Sequence, residues 1–228
     1  MRILIGILVF VVAASPPAIG QMRLESSVST SSATSSLSSA ELVKMGYRRF
    51  EVEQGIITYT LSGSLQRGSR IIYFDRWGLR QAIYDKAITN VFGLKKKVTS
   101  IQFLDGEQQY VYNKRRKTYR STRQAVFAQL LTEKEETENT QAQKGVEAFL
   151  IGMGGTKMGK ETVMGKPCEI WKMTLGGTHY VWKGMSLRTS SSLFGIETEW
   201  QVSKIELNEK VPDRKLLLPK KAKPASPR

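Results

Sequence analysis

An alternation of apolar and polar residues with a period of two constrains the fold of this chain more than any other feature. Ile57, Tyr59 and Leu61 alternate with polar residues in one segment, and similar segments follow along the chain. Asp105 and Gly106 separate two of them, and glycine accepts the positive φ of a tight hairpin turn. Strands joined by tight turns pair antiparallel, since parallel neighbours need long crossovers. The pattern therefore predicts an antiparallel meander.

Two segments depart from this period. Residues 122–138 place Ala125, Val126 and Leu130 at helical spacing, and residues 141–151 form a second helical segment. An amphipathic helix must bury its apolar side, and one face of the sheet is the available surface. The sequence thus predicts an α+β domain, in which helices cover the concave face of a curved antiparallel β-sheet shaped like a half-barrel.

The first residues have the pattern of a secretory signal peptide. Arg2 precedes an uncharged apolar run over residues 3–14, and small residues precede a predicted cut after Gly20. The run is shorter than the roughly 20 residues that a membrane-spanning helix needs. We therefore expect residues 1–20 to be removed on export, and the protein to be periplasmic or secreted.

Composition divides the remainder into three parts. Residues 21–40 are rich in serine and threonine, bury little apolar surface and are expected to form a disordered linker. Residues 41–219 are expected to form the folded domain. Residues 220–228 are expected to be a basic disordered tail.

One cysteine and one histidine restrict the chemistry of the chain. A single cysteine cannot form an internal disulfide, and the two residues together cannot supply the ligands of a usual zinc site. Catalysis by His179 needs a nucleophile and an orienting acid, so a partly exposed strand histidine is the simpler interpretation. Cys168 is expected to pack as a small buried hydrophobe. We predict no catalytic residues, no bound metal and no cofactor.

The glycine-rich segment 154–161 imitates a phosphate-binding P-loop. Glu161 stands where that motif needs serine or threonine, and Gly165 and Pro167 oppose the helix that should follow. A flexible connector is the expected structure.

Six strings in the sequence point to a known family. They are IITYTL at 56–61, YFDRWG at 73–78, GKPCEIW at 165–171, YVWKGMSL at 180–187, VP at 211–212 and LLLP at 216–219. Together they resemble the periplasmic lipoprotein-carrier-like superfamily, which includes the lipoprotein-sorting carrier, its outer-membrane receptor and uncharacterised secreted relatives, to which this chain is most similar. The resemblance implies the half-barrel fold and a cavity for acyl chains between sheet and helices, although a fold does not by itself fix a function.

Large apolar side chains on the predicted strands are candidates for the wall of such a cavity. The alternative is a core filled by the same side chains, because large aromatic residues usually pack inside. The sequence leaves both open. The candidate ligand-binding residues are Ile57, Tyr59, Leu61, Trp171, Met173, Tyr180, Trp182 and Trp200.

The chain has a formal net charge of +15, and two predicted turns each carry a cluster of lysines and arginines. One electropositive rim formed by both would attract an anionic membrane surface or an acidic envelope partner, in a salt-sensitive way. Solvated turns that keep sheet edges soluble are the alternative. Export argues against nucleic acid. The candidate anionic-surface residues are Lys95, Lys96, Lys97, Lys114, Arg115, Arg116 and Lys117.

These patterns favour an exported, non-enzymatic and monomeric binding protein. Its ligand is expected to be an acyl chain of a lipid or lipoprotein, or another hydrophobic molecule, held between sheet and helices. The alternative is an envelope structural or adaptor protein without an open cavity, which docks an acidic partner or an anionic membrane through its basic loops.

Overall fold

The computed structural model describes residues 36–91, 93–124, 146–152, 154–174, 177–193 and 196–226. Most of them belong to one antiparallel-rich sheet, as predicted, whereas the predicted covering of a concave face by helices is not shown among these residues. The strands are β1 (Gly55–Gly63), β2 (Gln66–Asp75), β3 (Arg80–Val91), β4 (Leu94–Asp105), β5 (Gln108–Asn113), β6 (Thr118–Arg123), β7 (Gly155–Val163), β8 (Lys166–Met173), β9 (Thr178–Trp182), β10 (Met185–Leu193), β11 (Ile196–Leu207) and β12 (Lys223–Pro224).

The strands follow the order β12-β6-β5-β4-β3-β2-β1-β11-β10-β9-β8-β7. Successive strands from β1 to β6 and from β7 to β11 are antiparallel neighbours, as the tight turns predicted. The two meanders join because β11 returns to pair with β1, from Gly55 opposite Leu207 to Gly63 opposite Thr198. The predicted hairpin turn at Gly106 is confirmed, with φ +59°.

Three short helices accompany the sheet in the described ranges: α1 (Ser39–Lys44), α2 (Val146–Gly152) and α3 (Asp213–Leu216). Only α2 corresponds to a predicted helix: it overlaps the predicted span 141–151 from residue 146, and residues 141–145 lie outside the described ranges. The other predicted helix began at Thr122, but residues 118–123 form β6, and residues 125–145 lie outside the described ranges. No helix in the described ranges is long and apolar enough to cross a membrane.

The segment that imitates a P-loop is a strand and not a flexible connector. Residues 155–163 form β7 and pair with β8 at the edge of the sheet, with a register irregularity between Lys157 and Gly159. Most β7 side chains are exposed. An edge strand tolerates glycines and lysines because it pairs on one side only, and this explains why its composition suggested a loop.

The folded domain begins earlier in the structure than the predicted start at residue 41. Helix α1 begins at Ser39, inside the predicted linker, because Ser38 and Glu41 form a capping box. The Leu37 N–H donates to the buried Glu107 carboxylate at 2.8 Å, which ties this helix to the β4–β5 turn. Residues 1–35, with the predicted signal peptide and most of the linker, lie outside the described ranges.

The C-terminal tail is ordered through residue 226, contrary to the prediction of disorder from residue 220. Residues 209–226, which we call the strap, leave β11 and end beside β6. The Lys223 N–H donates to the Lys117 carbonyl at 3.0 Å, and the Ala225 N–H donates to the Tyr119 carbonyl at 2.8 Å. These bonds form the parallel strand β12. Backbone pairing at an open sheet edge orders a segment whose side chains alone suggest disorder.

The two faces of the sheet bury different clusters. We call the face that carries Ile57, Ile72 and Ile83 the inner face, and the face that carries Ile56, Tyr73 and Tyr84 the outer face. The strap packs on the outer face, where the buried Val211 and Leu216 cover β2 to β4. The main inner-face cluster includes Ile57, Tyr59, Leu61, Ile72, Phe74, Ile83, Leu104, Trp200 and Val202.

Candidate functional site

Four of the predicted cavity residues lie together on the inner face. Ile57, Tyr59 and Leu61 alternate along β1, and Leu61 stands opposite Trp200 of β11. All four are buried, with 0% to 7% of their surface exposed. β1 lies near the middle of the sheet, so it has a partner strand on both sides and its inward side chains are fully surrounded.

Trp171 and Met173 share that face but belong to a separate cluster. Trp171 stands opposite His179, His179 opposite Thr189, and Thr189 opposite Trp200, so register places all of them on one face. Leu150 of α2 packs on Trp171 and Met173. One side chain of helix α2 therefore contacts the part of the inner face formed by β8 and β9.

Tyr180 and Trp182 lie on the opposite face of β9. Tyr180 stands opposite Arg188, whose guanidinium carbon lies 3.7 Å from the centre of the tyrosine ring. Both aromatic side chains are half-buried at the border of the main cluster. The two side chains therefore pack against the cluster that holds Ile57, Tyr59, Leu61 and Trp200, although they point away from His179 on β9.

A buried ion pair on the inner face was not predicted from the sequence. The Arg70 guanidinium donates to the Asp85 carboxylate at 2.6 and 2.9 Å. The Arg70 guanidinium also lies 4.3 Å from the ring centre of Trp200, and Arg70 stands opposite Tyr59. Burial raises the pKa of the Tyr59 phenol, and the Arg70 charge opposes that rise. A signal was present: Arg70 and Asp85 occupy inward positions of the alternation, where a charge needs a partner.

The indole nitrogen of Trp200 is buried beside this pair. No hydrogen-bond acceptor for Trp200 Nε1 is found among the described residues. A buried N–H without an acceptor costs about 1 to 3 kcal/mol. The inner face therefore presents an unused donor within an apolar surface.

His179 is buried, whereas the sequence suggested partial exposure. Only 3% of its surface is exposed, and its Nδ1 lies 2.9 Å from Ser186 Oγ. Burial lowers the pKa of His179 to about 4, which keeps the ring neutral at physiological pH. Its hydrogen-bonding neighbours in the described ranges are the hydroxyls of Ser186 and Thr189, so this geometry lacks the orienting carboxylate of a catalytic triad.

Cys168 packs as predicted. Its side chain is buried with 1% exposed, and burial raises the pKa of the thiol. The thiol therefore stays protonated and unreactive at physiological pH. No group of three metal-ligating side chains is found within the described part of the chain.

The described residues also form a polar groove of about 770 Å³. It lies where β1, β10 and β11 end or begin, and its walls carry hydroxyl groups in place of apolar side chains. It differs from the apolar cavity that the resemblance implied. The lining residues are Ser62, Gly63, Ser64, Gly177, Thr178, Ser190, Ser191, Ser192, Glu197, Thr198 and Glu199.

Both predicted basic clusters lie at one end of the sheet. Residues 95–97 open β4, and residues 114–117 form the turn between β5 and β6. Antiparallel pairing brings the start of β4 and the end of β5 to the same end. The strap adds to them, because Lys223 pairs with Thr118 next to this turn. The strap also carries Lys220 and Lys221, so three segments distant in sequence place cations at this end.

No protein-family model and no curated protein matches the chain. Among solved structures it is similar to LprF from Mycobacterium bovis, with 10% identity and a TM-score of 0.34 over 70% of this chain and 89% of LprF. It is similar to MucB, with 9% identity and a TM-score of 0.39 over 80% of this chain and 63% of MucB. It is also similar to the Mycobacterium tuberculosis lipoprotein LppX, with 12% identity and a TM-score of 0.31 over 76% of this chain and 93% of LppX.

Proposed function

We propose that the protein is an exported, non-enzymatic binding protein that holds the acyl chain of a lipid or lipoprotein against the inner face of its sheet. The observation that carries this proposal is the position of Trp200. Its indole N–H lacks an acceptor among the described residues and lies within an apolar cluster. An ester or amide carbonyl that joins an acyl chain to its headgroup is an acceptor of matching chemistry.

The surroundings of Trp200 support the same ligand class. Ile57, Leu61 and Val202 surround Trp200 with buried apolar side chains, which a hydrocarbon chain would contact once the inner face opens. The Arg70 guanidinium is already neutralised by Asp85, so the site offers no free positive charge for a carboxylate or phosphate. The apolar part of a ligand and one neutral acceptor therefore fit this surface better than an anion.

Native mass spectrometry of protein purified from its own cell envelope tests this proposal. We expect a co-purifying mass that collisional activation releases as an acyl-containing lipid. Trp200→Phe removes the N–H and keeps an aromatic ring, so it should reduce the retained fraction about fivefold, the effect of one hydrogen bond. Trp77→Phe is the matched control, because Trp77 lies outside this cluster and contacts Arg48, and it should retain the ligand.

Stability of the ligand-free protein gives a second readout. Because the Trp200 N–H has no acceptor among the described residues, Trp200→Phe breaks no hydrogen bond there. The free energy of unfolding should therefore fall by less than about 1 kcal/mol, apart from the change in packing. Envelope protein free of any bound lipid would contradict acyl binding at this site.

One observation favours the alternative function, an envelope adaptor with a closed core. Six of the eight predicted cavity residues are almost fully buried, as in a core filled by its own side chains. In that case the protein acts through its surface, and its basic loops dock an acidic partner. Envelope protein without lipid, together with salt-sensitive capture of an acidic envelope protein, would support this alternative.

A further inference from the structure

The end of the sheet that carries the basic clusters also exposes a leucine. We call this region the basic end and define it by residues 94–97, 114–117 and 220–223. Leu94 opens β4 with 77% of its surface exposed, the largest exposed fraction among the large hydrophobic residues that the structure describes. Lys95, Lys96 and Lys97 follow it directly and are exposed.

The β3–β4 hairpin projects from the sheet at this end. β4 pairs with β5 only from Ile101 onward, so residues 94–100 extend past β5 by about 20 Å, at roughly 3.3 Å per residue. On its other side, β2 begins opposite Thr89, before the hairpin turns. Gly93 at the turn has φ +78°, and a Cβ built there meets no atom within 4 Å. Leu94 therefore lies close to the open tip of a projecting hairpin.

The cations of this region are not neutralised by nearby carboxylates. Within the described ranges, no ion pair involves residues 95–97, 114–117 or 220–223. Several other lysines and arginines of the chain do pair, such as Lys157 with Glu169 and Arg188 with Glu161. Unpaired cations grouped around an exposed apolar tip retain their full attraction for an anionic surface.

An exposed leucine distinguishes between two kinds of anionic partner. An acidic protein surface attracts the cations but leaves the apolar tip of the hairpin in water. A bilayer accepts both, since the leucine enters the headgroup region while lysine and arginine side chains contact lipid phosphates. We propose that the basic end docks the protein on an anionic lipid bilayer, with Leu94 inserted among the headgroups. This docking is independent of a ligand on the inner face.

Co-sedimentation of the purified protein with phosphatidylcholine vesicles, with and without phosphatidylglycerol, tests this proposal. We expect binding that requires phosphatidylglycerol and weakens as ionic strength rises. Each surface lysine contributes about fivefold to such binding, so replacing Lys95, Lys96 and Lys97 with glutamine should weaken it on the order of a hundredfold. Replacement of Lys160, Lys172 and Lys210 with glutamine removes the same charge elsewhere and should have a much smaller effect.

A second pair of variants tests the apolar tip. Leu94→Ser should weaken vesicle binding about tenfold, because an apolar contribution is lost. The binding that remains should depend more strongly on salt concentration, because it is mainly electrostatic. Met158→Ser is the control, since Met158 is 61% exposed on β7, away from the basic end. Each variant is compared with the unsubstituted protein purified in the same way.

Three results would overturn the proposal. Equal weakening by the two lysine triples would assign binding to net charge and not to this region. Unchanged binding of the Leu94 variant would exclude insertion. Tighter binding to polyglutamate than to anionic vesicles, with displacement from the vesicles, would indicate an acidic polypeptide partner. All of the substituted side chains are exposed, so circular dichroism should show native folding in every variant.

Discussion

At the scale of single residues, the inner face combines apolar side chains with one buried ion pair. Ile57, Tyr59 and Leu61 follow from the period of two, because alternation assigns side chains to one face. Arg70 and Asp85 have the same inward period, but neither was predicted, because charged side chains usually lie exposed. Their pairing across the β2–β3 hairpin became visible only in the register.

Loss of the Asp85 charge should destabilise the fold strongly. Asp85→Asn leaves the buried Arg70 guanidinium without its neutralising carboxylate, which should lower the free energy of unfolding by about 3 kcal/mol or more. Glu206→Gln is the matched control, because the Lys204–Glu206 pair is largely exposed and should contribute under about 1 kcal/mol. Urea denaturation measures both, and equal effects would contradict a structural role for the buried pair.

His179 should make stability depend on pH in one window. Its pKa is about 4 in the folded protein and 6.5 in the unfolded chain. As pH falls from 6.5 to about 4, the unfolded chain gains a proton that the folded protein does not take up. Stability should therefore fall by up to about 3 kcal/mol across this window and be fully present above it.

His179→Gln isolates this contribution, because the chain has no other histidine. The amide can keep a hydrogen bond to Ser186, and it does not titrate. The difference in unfolding free energy between the two proteins, measured by urea denaturation at several pH values, should shrink as pH falls below 6.5. A constant difference would mean that His179 is not buried in the neutral form.

At the scale of elements, hairpins were predictable and edge segments were not. Turn residues such as Gly106 fix a hairpin locally, so sequence identified it. β7 and the strap instead have the composition of loops, and they are ordered by backbone hydrogen bonds to a neighbouring strand. A sequence pattern does not report whether such a strand is available.

Truncation of Leu216 should show that the strap is part of the outer-face core. Leu216 is 3% exposed and packs in the cluster of Ala82 and Phe103, whereas Leu217 is 52% exposed. Leu216→Ala should cost about 2 to 4 kcal/mol through lost burial and a cavity. Leu217→Ala should cost less than about 0.5 kcal/mol. Equal and small losses in urea denaturation would mean that the strap is not packed in solution.

At the scale of the whole molecule, the sheet determines where the charge lies. The sequence shows clusters at 95–97 and 114–117 and a basic tail, but not their distances from one another. The meander brings the two basic clusters to one end of the sheet. The strap brings the basic C-terminal tail to the same end, because β12 pairs with β6. This end of the sheet therefore carries a local excess of positive charge. The net charge of the chain does not show where that excess lies.

Repulsion within the basic end should make added salt stabilising. Screening weakens repulsion between like charges, so the melting temperature of the unsubstituted protein should rise with sodium chloride. Replacement of Lys95, Lys96 and Lys97 with glutamine should reduce this rise more than replacement of Lys160, Lys172 and Lys210. Thermal unfolding followed by circular dichroism at several salt concentrations measures the difference, and identical salt dependence of the two variants would contradict clustering.

The sequence by itself determined the antiparallel meander, the inward side chains of β1 and the segments that carry excess charge, because these depend on neighbours along the chain. The tertiary structure alone decided three further features: the partner of Arg70, the order of the strap, and the meeting of three basic segments at one end. Each of these depends on which strands become neighbours. Strand pairing between distant segments is set by the global packing of both sheet faces, which no local pattern encodes.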